Sequence, residues 1–250
     1  MPRFGPTASS LASSLASLLI PLLLTLVPID ADATESADTV ELIVRFSEDE
    51  ARPLSEAERE VVEEIARVAV IDIERVLPGT PERIELIVVT GTRVIPGFGS
   101  GARAAAPQQI WWTVDPLFGD GPIETARAEL RALLFHEVHH LVRGWTMSKG
   151  TAGDRMIDGA VAEGMATAFA RDQTGSNPPW GRYPPEEVDA WVEELRELEG
   201  LEPYGRWMFE HPDGRRWIAY RAGTYVIDRA MAACRCTAAD LVRRPTDEVL

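Results

Sequence analysis

Residues 136–140 read His136-Glu137-Val138-His139-His140, and this stretch decides which fold we expect. On a helix, side chains four positions apart lie on one face, so the imidazoles of His136 and His140 can bind one metal ion. Glu137 lies about 100° around the helix from His136, where it can reach a water molecule at the metal without being a ligand. His139 points too far around the helix to share the metal, so we interpret it as a surface residue or one that supports a ligand. The spacing predicts a zinc site with Glu137 as general base.

The third zinc ligand has to come from another part of the chain. A third histidine six residues after the motif would be typical of metzincins, but this position is Thr146. Our candidate is Glu163, which lies 23 residues after His140 in the small, apolar run 160–166. A carboxylate buried there needs a partner, and a metal ion is one. The alternatives are a salt bridge from Glu163 to Arg143 or Arg171, and His211 or Asp158 as the ligand.

Hydropathy patterns along the rest of the chain predict an α+β protein. Strands are expected at 39–46, 83–90 and 108–114, and a flexible glycine loop at 97–101. Ser55 and Glu58 form a capping box that opens a helix running to about residue 76. Further helices are expected at about 123–143, 154–171, 185–199 and 215–233. A small sheet followed by a mainly helical half, with the motif on a helix, indicates a single zincin-like metallopeptidase domain over residues 34–250.

The first 33 residues are predicted to be a signal peptide. Arg3 gives a weakly positive start, an apolar stretch follows over 11–27, and residues 31–33 (ADA) fit a signal-peptidase site. Pro21 and the interspersed serines make this stretch a poor transmembrane anchor. We therefore expect an exported protein, periplasmic or extracellular, with no stable membrane insertion after cleavage.

The composition restricts the kinds of partner. The 250 residues carry a formal net charge of −15, from 25 Lys and Arg against 40 Asp and Glu. A chain this acidic is repelled by phosphate backbones, so we do not expect it to bind nucleic acid. We interpret Cys234 and Cys236 as two unpaired small residues, because a disulfide closing so short a ring would be strained. An oxidising compartment would nevertheless allow them to pair.

Four blocks of sequence resemble a gluzincin-like family of bacterial zinc-dependent proteases of unassigned function. The blocks are the glycine loop 97–101 leading to 110–116, the metal helix 136–143, the run 158–166 and the late helix 220–227. Together they lie within residues 80–245, which is most of the chain after the signal peptide. The resemblance implies that His136, His140 and Glu163 bind zinc and that Glu137 is the catalytic base. It implies no particular substrate.

We therefore expect an exported zinc metallopeptidase that acts on peptide or protein substrates. Zinc lowers the pKa of a bound water to about 7, and Glu137 would accept the proton of that water. The alternatives are a zinc-binding protein without activity and a zinc amidase that acts on cell-wall material. The strand 108–114 either pairs with an extended substrate or is an ordinary strand of the sheet.

Other residues around the predicted site have roles that the sequence leaves open. A donor that stabilises the oxyanion is expected opposite the zinc. The candidates for it are Tyr220, Tyr225, His211 and Arg221. Thr167, one turn after Glu163, is either a partner of a ligand or a packing residue. Trp180 lies in a loop that either borders the cleft or packs against the core.

Overall fold

The structure is a computed structural model that describes residues 40–47, 52–149, 154–201 and 204–250. The predicted signal peptide, residues 1–33, lies outside the described residues. Within the described part of the chain, no helix is both long enough and apolar enough to cross a membrane.

The described strands form one mixed sheet in the order β1-β2-β4-β3. The strands are β1 (Glu41–Phe46), β2 (Arg83–Thr90), β3 (Ser100–Ala106) and β4 (Gln109–Val114). β1 and β4 each pair in parallel with β2, whereas β3 and β4 form an antiparallel hairpin. Since β4 is paired on both sides, it has no free edge for a substrate. Of the two roles considered for 108–114, that of an ordinary strand of the sheet therefore applies, and β3 lies at the edge instead.

Strand β3 was missed by the sequence analysis, which placed a flexible loop at 97–101. Its sequence, SGARAAA, consists mostly of small residues with little preference for strands. The strand forms because it is held along β4, and it also contacts helix α3. Gly97 and Gly99 both have positive φ angles, of 85° and 67°, so the loop turns there and the strand begins at Ser100.

Helices supply most of the remaining structure and confirm the α+β class. They are α1 (Glu56–Val76), α2 (Pro122–Thr125), α3 (Arg131–Arg143), α4 (Met156–Thr174), α5 (Val188–Arg196), α6 (Tyr204–Met208), α7 (Ile218–Cys234), α8 (Ala238–Leu241) and α9 (Thr246–Val249). The predicted capping box of Ser55 and Glu58 is present at the start of α1. The predicted helix 123–143 corresponds to α2, a π-helical turn at Ala126–Leu130, and α3.

Helix α3, which carries the motif, lies at the centre of the molecule. It contacts α1, the strands β3 and β4, and α4. Its Leu134, Phe135 and Val138 are almost completely buried. The burial of this helix between the sheet and the helical half fixes the direction in which its histidines point.

Helices α4 and α7 pack unusually closely through two glycines. A Cβ atom on Gly164 of α4 would overlap the backbone of Gly223, and one on Gly223 of α7 would overlap the carbonyl oxygen of Ala160. The predicted ligand Glu163 is next to one of these glycines. The close approach therefore sets where Glu163 lies relative to the side chains of α7.

We expect Gly223→Ala to lower the free energy of unfolding by about 3 kcal/mol, because the methyl group meets backbone atoms that cannot rotate away. Chemical denaturation followed by circular dichroism measures the change. Gly205→Ala is the matched control, since a Cβ at this position of α6 has open space around it. The control should leave stability unchanged or raise it by up to about 1 kcal/mol. Equal stability of the two variants would contradict the described packing.

Cys234 and Cys236, at the end of α7, are joined by a disulfide. Our interpretation of them as two unpaired residues was therefore wrong. Residue 235 between them adopts a left-handed conformation with φ of 56°, which turns the chain back so that the two sulfur atoms meet.

Candidate metal centre

The histidines of the motif are buried and face helix α4. Helix α3 ends at Gly144, whose φ of 74° forms a left-handed cap. His136 and His140 lie one turn apart on this helix, with 9% and 4% of their surface exposed. Opposite them, Glu163 of α4 is 6% exposed. The predicted ligands are thus brought together from two helices that pack against each other.

Three ligand atoms form a nearly equilateral triangle. The Nε2 atoms of His136 and His140 lie 3.0 Å apart, and Oε2 of Glu163 lies 3.1 Å from the first and 3.2 Å from the second. Protons cannot satisfy all three contacts together. Two N–H donors aimed at the oxygen would face each other, and an unprotonated nitrogen would face the lone pairs of the oxygen. A cation among the three atoms satisfies all of them.

The size and chemistry of this triangle suit zinc. Ligands of a tetrahedral zinc ion, with bonds of about 2.0–2.1 Å, lie about 3.3–3.4 Å apart. The observed separations of 3.0–3.2 Å are within a few tenths of an ångström of this spacing. Two imidazole nitrogens and one carboxylate oxygen are also a donor set that zinc uses. His136, His140 and Glu163 could therefore hold a metal ion.

The carboxylate and the imidazoles each favour the charged form of the other. Burial alone raises the pKa of the Glu163 carboxyl, but His140 and His136 outweigh this effect and hold that pKa well below its usual range. Burial alone lowers the pKa of His140, but the carboxylates of Glu163 and Glu137 more than compensate, so that its pKa is raised. Glu163 is consequently ionised and able to act as a ligand.

Glu137 lies beside the three predicted ligands but is not one of the group that could hold the metal. It is 5% exposed, and the backbone N–H of Ala104 in β3 donates a hydrogen bond to it. Burial raises the pKa of Glu137, and the neighbouring His136 and His140 offset only part of the rise. A carboxylate with a raised pKa is a stronger base, which suits a group that takes a proton.

A cavity of about 660 Å³ opens over the three predicted ligands and Glu137. Of the four candidates for stabilising an oxyanion, Tyr220 lines it. The Tyr220 hydroxyl lies close enough to the Glu163 carboxylate to feel its charge, and its ring lies 6.4 Å from the His136 ring. Burial, with the charge of Glu163, raises the pKa of Tyr220 well above its usual value, so the hydroxyl keeps its proton.

Tyr204 also lines this cavity, and the sequence analysis missed it. Burial raises its pKa, and the carboxylates of Glu163 and Glu137 raise it further. It lies on the five-residue helix α6, where no spacing or motif signals a functional side chain.

The other three oxyanion candidates lie away from the predicted ligands, outside the lining of this cavity. The Tyr225 hydroxyl donates to Asp189, and Nε of Arg221 donates to the carbonyl oxygen of Arg182. Nδ1 of His211 lies 2.9 Å from an oxygen of Asp213. These contacts account for the position of each of the three side chains, and none of them involves the metal centre.

The alternative partners of Glu163, and the alternative ligands, are also engaged elsewhere. Asp158 pairs with Arg155 at the start of α4, and Arg171 pairs with Asp228. Arg143 donates to the carbonyl oxygens of residues 242 and 244. Neither arginine forms a salt bridge with Glu163, and neither Asp158 nor His211 lies with the two histidines.

His139 is completely buried, which excludes the surface position that we had considered for it. Its Nε2 lies 3.4 Å from the carbonyl oxygen of Ala238, and its ring packs 5.4 Å from that of Phe169. Burial holds the pKa of His139 well below its usual value, so it is neutral. It acts as a packing residue between α3, α4 and the C-terminal segment.

Thr167 and Trp180 both line the cavity over the predicted ligands. The Thr167 hydroxyl is buried and has no hydrogen-bond partner among the described residues. Trp180 borders the cavity and also packs, with its ring 4.9 Å from that of Phe98 and 5.9 Å from that of Trp217. Both of the roles considered for Trp180 therefore apply.

Comparison with known proteins supports the resemblance noted in the sequence. A family model described as "Predicted Zn-dependent protease (DUF2268)" matches residues 62–250. No match was found among curated proteins or among solved structures. The matched span contains the motif on α3 and Glu163 on α4, and it covers more than half of the chain. The chain therefore belongs to the family of predicted Zn-dependent proteases, DUF2268.

Proposed function

We propose that this protein is a zinc metallopeptidase with a zincin-like domain that hydrolyses peptide bonds. The observation that carries the proposal is the buried triangle of His136, His140 and Glu163 with Glu137 beside it in one cavity. The description of the matching family, a predicted Zn-dependent protease, supports both the zinc dependence and the protease activity that we propose.

The proposed mechanism assigns one role to each side chain in the cavity. His136, His140 and Glu163 would hold the zinc ion, which supplies a Lewis acid and lowers the pKa of water. Glu137 would accept a proton from the attacking water and pass it to the leaving amine. The Tyr220 hydroxyl, protonated and close to Glu163, would donate to the carbonyl oxygen as negative charge develops on it.

Strand β3 is the proposed binding edge for an extended peptide. The N–H of Ala104 points away from β4 towards Glu137, and the carbonyl of Ser100 accepts from Ile95 outside the sheet. Because these groups alternate along a strand, the N–H and C=O of Ala102 also point away from β4. Ala102 lines the cavity, so a peptide paired with it would pass over the metal centre.

Tyr220→Phe should lower kcat on a cleaved peptide by about 100-fold, because one donor to the oxyanion is lost. KM and zinc content should change little. Kinetics on a fluorogenic peptide and metal analysis measure the three quantities. Tyr225→Phe, on the same helix but bonded to Asp189, is the matched control and should leave kcat unchanged. An unchanged kcat for Tyr220→Phe would remove this residue from the mechanism.

Substrate profiling tests the proposed reaction against the two other functions considered. The full chain, loaded with zinc, is incubated with a peptide library and with cell-wall fragments, and products are identified by mass spectrometry. Cleavage of peptide bonds that depends on Glu137 supports the proposal. Cleavage of cell-wall amides alone identifies an amidase, and bound zinc without any turnover identifies a binding protein.

We further propose that the protein is exported and that residues 1–33 are removed as a signal peptide, leaving one domain over 34–250. The apolar stretch 11–27 and the ADA sequence at 31–33 support this proposal. N-terminal sequencing of the protein recovered from its native host tests it. A chain that begins at Thr34 in the exported fraction is expected, and an intact N-terminus in the cytoplasm would contradict it.

A further inference from the structure

A second cavity, of about 570 Å³, adjoins the cavity over the candidate metal centre. Arg216 and Trp217 line both cavities, so the two cavities are neighbours. Four arginines line the second cavity: Arg182, Arg215, Arg216 and Arg221. Among its described lining residues, Glu187 is the only carboxylate. This concentration of positive charge is unusual in a chain with a net charge of −15.

The four arginines differ in how many of their guanidinium N–H groups already bond to acceptors of the protein. Arg215 is neutralised by ion pairs with Glu194 and Asp213. The guanidinium of Arg182 donates to the carbonyl oxygen of Asn177. Arg215 and Arg182 therefore stabilise the local structure.

Arg216 and Arg221 keep most of their donors free. Arg221 uses Nε to bond a carbonyl oxygen, and its guanidinium lies 5.1 Å from the centre of the Trp191 ring. Arg216 is exposed, and its guanidinium lies 4.3 Å from the centre of the Trp217 ring. Neither side chain forms an ion pair with a described carboxylate, although the negative charge of Glu187 in the same cavity acts on Arg221. Stacking on tryptophan holds a guanidinium in place while its N–H groups remain available to an anion.

We propose that Arg216 and Arg221 bind carboxylate side chains of the substrate, so that the enzyme prefers peptides with an acidic segment beside the scissile bond. The inference rests on the proposed peptidase function, because that function places the scissile bond in the first cavity, over the metal centre. Because Arg216 and Trp217 line both cavities, the two cavities are neighbours, and the inference places one extended peptide across both. The overall negative charge disfavours non-specific binding of acidic peptides to the protein, so binding of such a peptide depends on a local concentration of positive charge such as this cavity.

Peptide binding tests this proposal without turnover. The full chain carrying Glu137→Gln is titrated with two fluorescein-labelled dodecapeptides, one with four consecutive aspartates and the other with asparagines in their place. Fluorescence anisotropy measures Kd. We expect the acidic peptide to bind about tenfold more tightly at low salt, and the difference to shrink as sodium chloride is added.

The arginines are tested in the same Glu137→Gln background. Arg216→Gln alone, at an exposed position, should remove most of the preference, and the double variant with Arg221→Gln should remove all of it. Arg206→Gln is the matched control, because Arg206 is exposed, has no ion pair among the described residues and lines neither cavity. This control should keep the full preference, and circular dichroism verifies that each variant is folded.

Two results would overturn the inference: equal Kd values for the two peptides, or a preference that persists in the folded Arg216→Gln and double variants. A parallel cleavage assay with the unmodified chain separates this inference from the proposed function. If peptides are cut without regard to acidic residues, the peptidase stands and the inference fails. If nothing is cut but the arginine-dependent preference is present, acidic recognition stands and the peptidase fails.

Discussion

Glu137→Gln should lower kcat/KM on a cleaved peptide by about 1,000-fold, while the protein keeps its zinc. Glutamine has nearly the same shape as glutamate and can still accept the hydrogen bond from Ala104, but it cannot take a proton from water. Because Glu137 lies outside the group that could hold the metal, the loss should appear in catalysis alone. Steady-state kinetics and metal analysis on the same preparation separate the two effects.

Glu129→Gln is the matched control for this experiment. Glu129 lines the same cavity and is only partly exposed, so the substitution changes the same charge in similar surroundings. We expect its activity to stay within about twofold of the unmodified enzyme, as for a change that touches no reacting group. Activity that survives in Glu137→Gln, or that falls equally in both variants, would show that Glu137 is not the base.

Glu163→Gln should weaken zinc binding by more than about 100-fold. Changes to residues that only hold a metal ligand in place already lower metal affinity by about 10–100-fold. This substitution removes a charged ligand itself, so we expect a larger loss. It also removes the carboxylate that faces both Nε2 atoms. Competition with a chromophoric chelator measures the affinity, and Glu129→Gln again serves as control. A Glu163→Gln protein that binds zinc as tightly as the control would mean that the third ligand is another residue.

The parts of the candidate site that could be predicted from sequence are those that local geometry determines. The spacing of His136 and His140 fixes their common face as soon as the segment is helical. Glu163 was identifiable because a carboxylate in a small, apolar helix needs a buried partner. Both arguments use only the residue types and the periodicity of a helix.

Long-range packing determines the parts that the sequence could not settle. Tyr220 lines the cavity, whereas Tyr225, five residues later and so on a different face of α7, does not. Which face of α7 meets α4 depends on the close packing at Gly164 and Gly223. Neither tyrosine has a distinguishing neighbour in the sequence. Tyr204 comes from a short helix whose position depends on the same packing.

The sheet shows the same division between local and long-range information. β2 alternates buried and less buried residues, and this pattern can be recognised in its sequence. β3 contains four alanines and one glycine and forms only because β4 lies alongside it. Without β3, the sequence could not decide whether 108–114 is an edge strand or an ordinary inner strand, since the edge of a sheet is defined by strand order.

The most direct test of the central claim is a crystal structure of the full chain with equimolar zinc, with diffraction recorded on both sides of the zinc absorption edge. The account predicts one anomalous peak per chain, about 2.0–2.1 Å from Nε2 of His136, Nε2 of His140 and a carboxylate oxygen of Glu163. A peak held by other residues, or no peak between α3 and α4, would contradict it.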